Sequence, residues 1–66
     1  MPMPQTETVR QNYSLLFQET ANLQSKLEAM ISFSMEIGDH GVRKLLQEMM
    51  EKNTMLATHI KSQADV

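Results

Sequence analysis

The sequence predicts an all-α fold: one antiparallel two-helix hairpin, coiled-coil-like along its seam, that completes a four-helix bundle by dimerisation. Three observations predict it. Apolar residues recur at alternating steps of four and three along two long stretches. Gly38-Asp39-His40-Gly41 is the only internal punctuation between them. The chain has 66 residues and no cysteine, so a single domain over 1–66 has neither a large core nor a disulfide to hold it, and the devices left are very regular helix packing or association.

The first helix is expected over about 6–37. Both prolines, Pro2 and Pro4, fall before it, where proline is tolerated. Thr6 or Thr8 suits the N-cap, and Glu7 suits the positive end of the helix dipole. Within the stretch, Val9, Tyr13, Leu16, Thr20, Leu23, Leu27, Met30, Ser34 and Ile37 follow steps of four and three without a slip. In a seven-residue repeat lettered a to g, Tyr13, Thr20, Leu27 and Ser34 take a, and Val9, Leu16, Leu23, Met30 and Ile37 take d. In Ile31-Ser32-Phe33-Ser34-Met35-Glu36-Ile37 apolar and polar residues alternate as in a strand, but the heptad steps pass through unbroken.

The turn is expected at 38–41. Gly38 suits the left-handed residue that ends a helix, and Asp39 suits the N-cap of the next. The second helix is expected over about 40–62, with a frayed tail to Val66. Its repeat is Val42, Leu46, Met49, Asn53, Leu56, Ile60, with Val42, Met49 and Leu56 at d. A short turn makes the two helices antiparallel neighbours sharing an a/d seam, with Met30 and Met49 roughly opposite each other.

Each apolar stripe is wider than a two-stranded seam needs. Phe17 and Ile31 add position e to the first helix; Met50 and Ala57 add e, and Leu45 adds g, to the second. The excess gathers towards the turn, where Ile31, Phe33 and Met35 face Leu45, Met49 and Met50. Those six residues are the candidates for a partner or dimer interface; the methionines among them read either as ordinary core filler or, being unbranched and polarizable, as an adaptable surface. Phe33, Met35 and Leu45 lie off the seam; the plainer alternative is that Phe33 and Leu45, both at g, widen the hairpin's own core. Asn53 at a is the candidate register residue, since a buried Asn in such a seam selects register at some cost in stability.

No pattern for chemistry accompanies the hairpin. There is no glycine-rich phosphate loop, no cysteine nucleophile and no Ser/His/Asp set that two helices could bring together, so the expectation is a non-enzymatic chain with no cofactor and no catalytic residue. His40 and His59 have no second ligand at metal spacing, so no metal is expected. A formal net charge of −2 and six scattered cations give no field to attract phosphates; a nucleic-acid-binding hairpin dimer, gathering Arg10, Lys26, Arg43 and Lys44, is the alternative function. The polar faces carry Gln, Ser, Thr and Glu rather than the Lys and Arg of a membrane-surface helix. The start has neither a basic nor an apolar leader region, and no stretch approaches the roughly 18 apolar residues of a membrane span, so a cytoplasmic location is expected. What remains is a small regulator, adaptor, inhibitor or chaperone-like subunit that docks an apolar, Met-rich helix face on a protein partner or on a second copy of itself.

Overall fold

A computed structural model of the chain describes residues 6–64 as two helices packed against each other. Helix α1 spans Glu7–Ile37 and α2 spans His40–Ala64, with no strand among the described residues. The expected proline-bearing start and the last two tail residues lie outside the described residues; α2 runs two residues further than the heptad pattern required. The alternating segment 31–37 is helical throughout, because seven residues of strand-like alternation have no neighbouring strand to pair with, while the helix already has its ladder of hydrogen bonds.

Local chemistry sets each boundary. Thr6, in extended conformation, accepts the Val9 N–H on its hydroxyl at 3.2 Å and so is the N-cap of α1 rather than Thr8. At the other end Gly38 turns left-handed at φ 73°. Its N–H donates to the Met35 carbonyl at 3.2 Å, and the Asp39 N–H donates to the Ser34 carbonyl at 3.1 Å. These two bonds are a Schellman ending, which satisfies carbonyls that the helix can no longer pair. Asp39 then accepts the Val42 N–H at 3.0 Å on its carboxylate and caps α2. One residue thus closes the first helix with its backbone and opens the second with its side chain.

The seam is narrower than the a/d reading predicts. Among the described residues, buried ones stand only at a: Thr20, Leu27 and Ser34 from α1, Leu46, Asn53 and Ile60 from α2. Half-buried residues flank them chiefly at e, as Gln24, Ile31, Arg43, Met50, Ala57 and Ala64. The d line is outside: its side chains are 39–50% exposed, and Ile37 is 74% exposed. The reason is bulk. Thr20, Ser34, Asn53 and the alanines at 57 and 64 make the a/e side the slimmer one, so the helices close there. The hydroxyls of Thr20 and Ser34 fold back onto the Phe17 and Ile31 carbonyls of their own helix at 2.6 and 2.7 Å, which lets both hydroxyls be buried without a partner across the seam. Leu, Met, Val and Ile at d are left at the edge.

The molecule measures 51 × 18 × 13 Å. It is two helices wide and one deep, so no second layer covers either broad face. No helix among the described residues is long and apolar enough to cross a membrane.

Candidate functional site

In an antiparallel pair that meets along a, the e lines of both helices run on one side of the seam and the d and g lines run on the other. The d/g side is where the exposed apolar residues collect. Of the fourteen large hydrophobic residues exposed among the described residues, ten stand at d or g: Val9, Leu16, Leu23, Met30, Phe33, Ile37, Val42, Leu45, Met49 and Leu56. Phe17 and Met35 fall on the e side, and Leu15 and Met55 on the back. Single exposed hydrophobics are ordinary; ten in two parallel lines on one side are a contiguous patch.

The centre of this side is a shallow groove between the helices. Leu23 of α1 lines it together with Leu45, Met49 and Leu56 of α2, with Glu48 and Lys52 at the rim and Asn53 at the floor. Met49 therefore shares its groove with Leu23, nearer mid-hairpin than the expected pairing with Met30.

Asn53, the candidate register residue, is buried in the seam and bonded across it. It is 5% exposed, and its Nδ2 donates to the Thr20 backbone carbonyl at 2.9 Å across the seam. That carbonyl has a second lone pair for its own helix, so it accepts the amide without leaving the ladder. The bond ties α2 to α1 at mid-hairpin. Asn53 Oδ1 is itself buried with no hydrogen-bond partner.

The six interface candidates divide between the two sides. Phe33, Leu45 and Met49 stand on the d/g face, 64%, 62% and 50% exposed. Phe33 and Leu45 are thus outside the hairpin's core and do not widen it. Ile31 and Met50, at e, are half-buried in the seam, and Met35, at b, is exposed beyond them on the other side. Sequence reasoning missed Leu16, Leu23 and Leu56 as surface residues, since it placed d inside. The signal that could have found them is the small or polar residue at three of the a positions, Thr20, Ser34 and Asn53.

The cations do not converge. Arg10 and Arg43 stand at e, Lys26 and Lys52 at g, and Lys44 and Lys61 on the outer surface. Among the described residues no three of His, Asp and Glu come together as a metal-holding group. Compared with known proteins, the chain matches no family model, no curated protein and no solved structure.

Proposed function

We propose that this chain is a non-enzymatic protein–protein interaction module that acts by docking its apolar d/g face, as a homodimer in which two hairpins complete a four-helix bundle. The observation that carries the reading is the one-sidedness of the exposed large apolar residues, ten of fourteen among the described residues on a single face. Half-exposed side chains of this size each gain about 1 kcal/mol when covered, so ten of them supply on the order of 10 kcal/mol from each chain. Association costs about 4–15 kcal/mol in lost freedom, which two such faces together exceed. Five methionines among the described residues, with Met30 and Met49 on the face itself, give it side chains that repack around an irregular surface.

The test is size in solution. Multi-angle light scattering on the purified chain is expected to give twice the monomer mass of 7.6 kDa at micromolar concentration. Phe33→Glu or Leu45→Glu places a charge on the face and is expected to return the chain to monomer, while Met35→Glu on the other side leaves the dimer intact. A monomeric wild-type chain that stays folded and cooperative on dilution would remove the reading.

A further inference from the structure

We infer that the d/g face takes a second copy of this chain turned end for end, with the two-fold axis crossing the hairpin at the level of Leu23 and Asn53. This rests on the docking reading above and adds the orientation of the second copy.

The first support is area. The chain exposes 5531 Å². A compact folded chain of 7.6 kDa exposes about 4,300 Å² on the usual scaling of surface with mass. The excess, about 1,200 Å², covers the ~800 Å² that each partner of a stable pair buries.

The second is level. Asn22 is the midpoint of α1 and Lys52 the midpoint of α2. The Asn53–Thr20 bond ties the helices together next to both midpoints. A copy rotated about an axis through that level lays its turn over the open end of the first and overlaps it along its full length. On α1, Leu23 then meets Leu23 of the second copy, Leu16 meets Met30, and Val9 meets Ile37. On α2, Met49 meets Leu56. Every one of these residues is exposed in the single hairpin.

The third is charge. Glu19 and Lys26, both at g of α1, lie four residues before and three after Leu23. Turning the copy end for end sets Glu19 of each chain against Lys26 of the other, which makes two reciprocal ion pairs at the rim. Lys52 comes near its own copy, and Glu48, one turn away on the same helix, offsets that repulsion.

The chain has no cysteine, so single-cysteine variants report the geometry directly. Oxidised Leu23→Cys is expected to run as a covalent dimer, since a disulfide needs Cα atoms within about 7 Å. Phe33→Cys stays uncrosslinked, its two copies lying roughly 30 Å apart at ~1.5 Å per residue. A wild-type dimer in which Leu23→Cys fails to crosslink alone but does so when mixed with Met49→Cys overturns the orientation and leaves the docking reading standing. A monomeric wild-type chain overturns both. Charge exchange tests the same geometry without touching the apolar face: Glu19→Lys is expected to weaken the dimer roughly tenfold, and Glu19→Lys with Lys26→Glu to restore it. Equal dimer affinity for wild-type, single and double variants would overturn the end-for-end pairing.

Discussion

Asn53 and Thr20, 33 residues apart in sequence, are joined at mid-hairpin by a side-chain amide on a backbone carbonyl, 2.9 Å apart. The contact is lopsided. The donor half of the amide is satisfied inside the hairpin, and the acceptor half is buried without a partner. A buried unpaired acceptor costs about 1–3 kcal/mol, more than the ~1 kcal/mol that the bond on the other half returns. Asn53 therefore does little for how tightly the helices hold.

Asn53→Leu should accordingly stabilise the chain by on the order of 1 kcal/mol, as replacing a buried polar residue by an apolar one of similar volume does elsewhere. Asn53→Ala removes the bond and leaves a hole, and should cost about 1–2 kcal/mol. Denaturant titrations followed by circular dichroism at one fixed chain concentration separate the two; an Asn53→Leu variant weaker than wild type would show that the acceptor is satisfied.

Leu27 is the most buried side chain, 1% exposed at the middle of the seam. Leu27→Ala should cost about 3 kcal/mol by transfer and cavity together, a large share of what a chain this size can hold. The measurement is thermal unfolding by circular dichroism, with Leu15→Ala on the exposed back as the control, expected to shift stability by no more than about 0.5 kcal/mol.

The hairpin itself was legible because its signals are local. Gly38 and Asp39 carry their turn and cap chemistry in their own side chains, and steps of four and three survive any detail of packing. The side of the helix that turns inward was not legible from apolarity, because a and d were both treated as core. Bulk decides between them: Thr20, Ser34, Asn53 and the alanines at e let the helices approach, and the heavier d line cannot. That choice moved Leu16, Leu23 and Leu56 from the expected seam to the surface, and it separated Ile31, Met35 and Met50 from Phe33, Leu45 and Met49. A hairpin read alone shows which residues are apolar; which of them remain uncovered depends on which line closes first.

The two glycines should respond in opposite directions. Gly38 sits at φ 73° with nothing within 4 Å of an added Cβ, so Gly38→Ala meets no clash and costs only the left-handed backbone, about 1–2 kcal/mol. Gly38→Asn should cost less, because its side chain tolerates that conformation. Gly41 lies in the first turn of α2, and a Cβ there would meet Asp39 Oδ1 at 3.5 Å, an ordinary contact. Gly41→Ala should stabilise by about 0.5–1 kcal/mol by restricting the unfolded chain. Unfolding midpoints of the two alanine variants, compared with wild type, check both signs.

Ser34 tests whether slimness at a is what sends d outward. It is 2% exposed, and its hydroxyl bonds only to the Ile31 carbonyl of its own helix. Ser34→Ala removes a bond that never crossed the seam, and the Ile31 carbonyl keeps its helical partner, so the change should stay within about 0.5 kcal/mol. Ser34→Leu is different. It adds bulk where the helices touch, beside a carbonyl already occupied by the Asp39 N–H at 3.1 Å. Overpacking of this kind costs about 1–3 kcal/mol unless the helices rotate to relieve it. Rotation would turn a outward and draw the d line in, so the relieved variant would expose less of Leu23, Met30 and Met49. Binding of an apolar dye reads that exposure. Ser34→Leu is expected to lose stability with dye binding unchanged if the seam holds, or to bind less dye at near-normal stability if it rotates; a variant unchanged in both would mean that bulk at this position does not choose the seam.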